Sequence, residues 1–135
     1  MRKKFLTKVI VALLFFVTLS QAFIIESSYE VAHKKALKSN KTLIVFLTTQ
    51  DCKHCNDALK KILMDKATSS LIEKNALFSI IHKGQKESYP IEMLFTLEYP
   101  TLFFLDKHEL FSCDALVSHI DLKKLQKCLI SESKR

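Results

Sequence analysis

Apolar residues along the chain fall into short continuous blocks and longer stretches where they recur three or four positions apart. Leu43-Ile44-Val45-Phe46-Leu47 is a continuous block between Lys41-Thr42 and Thr48-Thr49. Its length and its branched residues predict a strand buried on both faces. Leu77 to Ile81 predicts a second strand and Thr101 to Leu105 a third. Asp106-Lys107-His108 predicts a turn, and Glu109 to Cys113 a fourth strand paired back as a hairpin.

Between these blocks the spacing is helical. Ser27 or Ser28 caps a helix to about Ser39, with Tyr29, Ala32, Ala36 and Leu37 on one face. A second helix runs from about Cys52 to Asp65, its apolar face formed by Cys55, Ala58, Leu59, Ile62 and Leu63, and Thr68 to Lys74 continues as a short helix. Gly84 marks a loop. Pro90 suits the first turn of a helix holding Ile91, Leu94, Phe95 and Leu97, which Pro100 stops. Ser118-x-x-Asp121 reads as a capping box before a closing helix with Leu122, Leu125 and Leu129 on its buried face. The order α-β-α-β-α-β-β-α predicts an α/β fold, a mixed four-stranded sheet flanked by helices.

The first 22 residues stand apart. Arg2, Lys3, Lys4 and Lys8 precede the apolar stretch Val9 to Leu19, and Ser20-Gln21-Ala22 follows with small residues where a signal peptidase reads. That order predicts a signal peptide over 1–22, cleaved after Ala22, and one domain over 23–135. The alternative is a retained N-terminal anchor facing the periplasm, although the stretch falls short of the roughly 20 apolar residues that span a bilayer.

Charge changes little once the leader is set aside. The chain has 21 basic and 14 acidic residues, a net +7. The leader holds four of the basic residues and no acid, which leaves 17 against 14, or +3, on the rest. Lys34-Lys35 and Lys60-Lys61 are solvated helix faces, and no basic stripe points to nucleic acid.

The chemistry centres on Cys52-Lys53-His54-Cys55, which follows the first buried strand and opens a helix. Spacing alone is weak evidence; the placement is stronger. At a helix N-terminus, unpaired N–H groups and the macrodipole favour the thiolate, the attacking species. Cys52 is therefore expected at the surface with its thiolate stabilised, and Cys55 one turn on, within bonding reach. His54 and Lys53 favour the Cys52 thiolate further, and Asp51 opposes them. A structural zinc site wants four ligands, and no second C-x-x-C or H-x-x-x-H is present. Haem attachment wants C-x-x-C-H, and position 56 is Asn. No metal and no cofactor are expected. A purely structural Cys52–Cys55 disulfide is the bland alternative. Cys113 and Cys128 are read as two small buried hydrophobes, with a second disulfide between strand and helix as the alternative. His33, His82, His108 and His119 are assigned no function.

The run Leu43-Ile44-Val45-Phe46 ahead of C-K-H-C, together with Tyr99-Pro100-Thr101-Leu102-Phe103-Phe104, resembles the thioredoxin superfamily, over about Ser27 to Ile130. The likeness is to small exported, periplasmic bacterial members. The resemblance implies that Cys52 is the nucleophile, that Cys55 is the resolving thiol, and that Pro100 is a cis-proline facing the pair. It further implies that Tyr99, Pro100 and Thr101 form the substrate-binding segment, with Tyr99 pairing its backbone with the substrate chain. Three positions differ from the family's pattern: Asp51 stands where Trp is usual, Phe46 where many members carry a buried acid, and Glu98 where Gly is often found. The expected function is thiol–disulfide exchange with exported protein substrates, leaning to reduction, with a membrane protein as electron donor and the chain acting as a monomer. The competing expectation is a redox-inactive binding or chaperone-like module on the same fold.

Overall fold

The structure is a computed structural model and describes residues 2–16, 23–84 and 94–134. Its elements are α1 (Arg2–Phe16), β1 (Ile25–Glu26), α2 (Tyr29–Ser39), β2 (Thr42–Thr48), α3 (Lys53–Met64), α4 (Lys66–Asn75), β3 (Ala76–His82), β4 (Thr101–Leu105), β5 (Phe111–Val117) and α5 (Leu122–Ser133). Helix α1 lies within the segment read as a leader, and no helix among the described residues is long and apolar enough to cross a membrane.

The strands form one mixed sheet in the order β1-β3-β2-β4-β5. Strand β2 is central, parallel to β3 and antiparallel to β4. Every residue of β2 is buried, as a continuous apolar block requires. Successive side chains point to opposite faces and feed two cores. Leu43, Val45 and Leu47 pack with Tyr29, Ala32 and Ala36 of α2 and with Phe103 and Leu105. Ile44 and Phe46 pack on the other face, with Ile62 of α3, Ile72 of α4, and Leu125 and Leu129 of α5. The end of β2 at Thr48 thus opens toward α3 from a strand held on both edges and both faces.

The sheet has five strands, not four. The added strand β1 is two residues long and pairs parallel with β3 at the rim, Ile25 opposite Phe78 and Glu26 opposite Ser79. So short a segment carries no periodic signal.

Strand β5 starts later than the sequence suggests and runs on to Val117. Asp106 Oδ1 accepts from the amides of His108 and Leu110, at 2.8 and 3.0 Å, and Glu109 takes a left-handed φ of 61°. The turn therefore extends through Leu110, and Cys113 lies inside the strand. Ser118 does not cap α5. Asp121 does, accepting from the amides of Lys123 and Lys124, whereas Ser118 has a φ of 63° and donates its own N–H to Pro100 O at 2.8 Å.

The helix expected from Pro90 lies partly outside the described residues. Its described part, with Leu94, Phe95 and Leu97, is not helical. Local side-chain bonds compete with a helix there: Thr96 Oγ1 accepts from Glu98 N at 3.2 Å and donates to Glu98 O at 2.9 Å.

Cys113 and Cys128 are joined as a disulfide, which corrects the reading of two unlinked buried hydrophobes. Their Cα atoms are 5.9 Å apart, inside the range a disulfide needs. The bond ties β5 to α5. The relevant proximity is tertiary and leaves no local mark on the sequence.

Candidate active site

Residues 49–52 carry the chain from the end of β2 to the start of α3. Asp51 sits in the left-handed region, at a φ of 53°, a conformation that aspartate adopts more readily than most residues. Cys52 then takes an extended conformation and caps α3, its Sγ accepting from Cys55 N at 3.2 Å. A sulfur thus occupies the place where a Ser or Asp oxygen usually satisfies an orphan amide. The first turn of α3 holds no acid, so nothing within that turn offsets its positive end.

Cys52 and Cys55 are joined as a disulfide with their Cα atoms 5.2 Å apart. Cys55 is 1 % exposed and Cys52 is 8 % exposed. The second figure corrects the expectation of an exposed Cys52. Its sulfur is bonded to Cys55 Sγ and accepts from the Cys55 amide, both within the turn it caps. Cys52 also lines a cavity with Thr48, Gln50, Asp51, Asn56 and His82 among others.

His54 and Lys53 both lie exposed on the first turn. His54 Nε2 is 2.7 Å from Tyr99 O. A carbonyl only accepts, so Nε2 carries the proton and donates it. A ring nitrogen of His54 and the sulfurs of Cys52 and Cys55 all lie within 4.8 Å of one another.

The segment at Tyr99 and Pro100 is held from several sides. Its peptide bond is cis. Ser118 N binds Pro100 O, and Thr101 Oγ1 donates to Glu98 O at 2.7 Å and lies 2.9 Å from Thr96 Oγ1. Lys83 Nζ lies 5.5 Å from the centre of the Tyr99 ring, within cation–π range. Of the three residues read as substrate-binding, the structure brings Tyr99 to the C-x-x-C turn through His54, with Pro100 next to it in the chain. Thr101 is fully buried, and its hydroxyl braces the segment from behind.

Sequence reasoning missed Thr96, Glu98 and Ser118 as the braces of this segment. Thr96-x-Glu98 does carry a usable signal, the threonine turn that displaces a helix. Ser118 carries none, because its partner is 18 positions away in the chain.

The arrangement defines a class. A C-x-x-C disulfide caps a helix at the end of a central strand, and a cis-proline segment is bonded to the intervening histidine; this is a thioredoxin-like fold. No family model and no curated protein sequence matches the chain. Solved structures do. A thioredoxin from Thermus thermophilus superposes with a TM-score of 0.67 at 17% identity, covering 82% of this chain and 87% of that one. A putative disulphide-isomerase from Bacteroides thetaiotaomicron gives 0.65 at 22%, covering 85% and 98%. A DsbH oxidoreductase gives 0.61 at 18%, covering 84% and 93%.

Proposed function

We propose that this chain catalyses thiol–disulfide exchange with exported proteins, working as a disulfide reductase that receives its electrons from a membrane protein. The observation that carries the reading is the Cys52–Cys55 disulfide at the cap of α3, with the Cys52 sulfur already accepting the Cys55 amide. The named neighbours, a thioredoxin, a putative disulphide-isomerase and an oxidoreductase, support the same chemistry.

In the dithiol form the Cys52 thiolate, favoured by that amide, by the helix terminus and by Lys53, attacks a substrate disulfide. One substrate sulfur leaves as a thiolate and takes a proton. Cys55 then attacks Cys52 Sγ, the second substrate sulfur leaves as a thiol, and the protein is left oxidised. Two electrons pass from the pair to the substrate. The Tyr99–Pro100 segment lines the approach and offers its backbone to the substrate chain. A reducing role fits the absence, among the described residues, of a helical domain inserted into the fold. Residues 1–22 act as a leader that delivers a monomeric domain to the bacterial periplasm.

The test replaces Cys55 with Ser and isolates covalent complexes from cells. Mixed disulfides through Cys52 are expected. Their absence, under conditions where the unmodified protein turns over, defeats the proposal. A second reading, a binding module without turnover, draws on Phe46, which is buried in the core and leaves no carboxylate at its place in β2. A Cys52→Ser/Cys55→Ser strain with a normal phenotype, beside a defective deletion strain, would favour that reading.

A further inference from the structure

Cys52, His54 and Cys55 offer two sulfurs and an imidazole nitrogen within 4.8 Å of one another. We propose that, once the pair is reduced, this turn is a three-ligand binding site for a thiophilic d10 metal ion, and that metal binding and disulfide formation exclude each other. The inference rests on the redox reading to the extent that the pair must be reducible.

The first argument is geometric. An ion held tetrahedrally at about 2.3 Å from sulfur and about 2.0–2.1 Å from nitrogen needs its ligand atoms roughly 3.5–3.8 Å apart. The two sulfurs are bonded to each other, and the ring nitrogen lies within 4.8 Å of both. Opening the sulfur–sulfur bond lets the two sulfurs part to that spacing while both stay on one helical turn, their Cα atoms 5.2 Å apart.

The second argument is independent and concerns His54. A ligating histidine almost always donates its other ring N–H to a carboxylate, a backbone carbonyl or a water, which fixes its tautomer and orientation. His54 Nε2 donates in this way to Tyr99 O at 2.7 Å. With its proton on Nε2, the ring has Nδ1 as the ligand atom a metal would take. The Cys55 amide bonded to Cys52 Sγ supplies the matching outer contact for a sulfur ligand.

Three ligands are one short of a closed structural zinc site. They match an open site, in which a fourth position takes water or another ligand, or a three-coordinate monovalent ion. Two thiolates and an imidazole select Zn2+ or Cu+ over hard ions. The steps balance. A dithiol reductant gives two electrons and two protons to the Cys52–Cys55 bond and becomes a disulfide itself. The ion then displaces the two thiol protons to solvent, His54 gives a lone pair without losing a proton, and no electron moves on binding.

The test uses the whole chain reduced with a phosphine. Zn2+ is titrated against a chromogenic chelator, and Cu+ is titrated separately. One ion per chain is expected, bound with release of protons, with Co2+ giving a sulfur-to-metal charge-transfer band. His54→Ala should weaken binding by roughly tenfold or more. Cys52→Ser/Cys55→Ser should abolish it, compared in a Cys113→Ser/Cys128→Ser background because a phosphine opens that second disulfide too.

Undiminished binding in His54→Ala, or binding that survives Cys52→Ser/Cys55→Ser in that background, overturns the proposal. So does a reduced protein that binds neither ion. Thiol counting on the same samples separates the two readings. A pair that is reduced and exchanges with glutathione but binds no ion defeats the metal site alone. A pair that cannot be reduced defeats both.

Discussion

His54 and Tyr99, 45 residues apart in sequence, meet at 2.7 Å through a ring nitrogen and a backbone carbonyl. That carbonyl precedes Pro100, on the segment that faces the cysteine turn. The side chain inside the C-x-x-C motif is therefore held by the backbone of the segment proposed to receive the substrate.

Replacing His54 with Ala should make the pair less oxidising. A protonated imidazole beside the pair favours the thiolate and so the reduced form, and Ala removes that cation. The equilibrium potential against glutathione should become more negative by about 30 mV or more, which for two electrons is about 1.4 kcal/mol. A shift in the opposite direction would show that the histidine stabilises the disulfide instead.

Thr101→Val keeps the volume of a fully buried side chain and removes its hydroxyl. The bond to Glu98 O and the contact with Thr96 Oγ1 are both lost. Glu98 O keeps its bond from Thr96 Oγ1, so the loss is that of one net hydrogen bond, about 0.5–1.5 kcal/mol, and the urea midpoint should fall accordingly. The substitution should also slow exchange with protein substrates more than exchange with glutathione, because it loosens the Tyr99–Pro100 segment and leaves the cysteines in place. Equal slowing of both would disprove that division.

Cys113→Ser/Cys128→Ser removes a cross-link between residues 15 apart. Closing a loop of that size restricts the unfolded chain by about 3 kcal/mol in the chain-entropy model. Denaturant unfolding should show a loss of that order, and exchange at Cys52 and Cys55 should persist at temperatures where the variant is folded.

Tyr29 bears on alkaline stability. Burial raises its pKa well above the ordinary tyrosine range, and the hydrogen bond and negative charge of Glu109 add to the effect. Its hydroxyl donates to Glu109 Oε2 at 2.8 Å. The folded state therefore keeps the phenolic proton at pH values where the unfolded chain loses it. The associated stability is fully present below about pH 10 and is lost as the pH rises further. Tyr29→Phe should be less stable near neutrality by about 1 kcal/mol and should lose less than the parent between pH 9 and 11. Parallel pH profiles would contradict this assignment.

Much of the fold is written locally. The block Leu43 to Leu47 specifies a buried central strand, and the spacing of Cys55, Ala58, Leu59 and Ile62 specifies the helix that presents the cysteines. Thr101 to Leu105 is a strand in both sequence and structure. What escapes the sequence depends on competing short-range bonds or on distant partners. Asp106 holds the turn open for longer than the apolar pattern implies, and Thr96 bends a stretch whose spacing alone suggests a helix. Strand β1 exists only because Phe78 and Ser79 offer it an edge. At the candidate site the cysteines are plain from placement, but the bond from His54 to Tyr99, the brace from Ser118 and the Cys113–Cys128 bridge require the folded chain.

Among the described residues, strand β5 forms the outer rim of the sheet, hydrogen-bonded on one side, to β4. Such a rim invites another polypeptide to add itself as a further strand. Cys113, within that rim, is fastened to a helix, and its neighbour Asp114 puts an exposed carboxylate on the same stretch. A border that cannot peel away and carries charge resists self-association, which matters for a molecule whose proposed work is to meet other chains while they are incompletely folded.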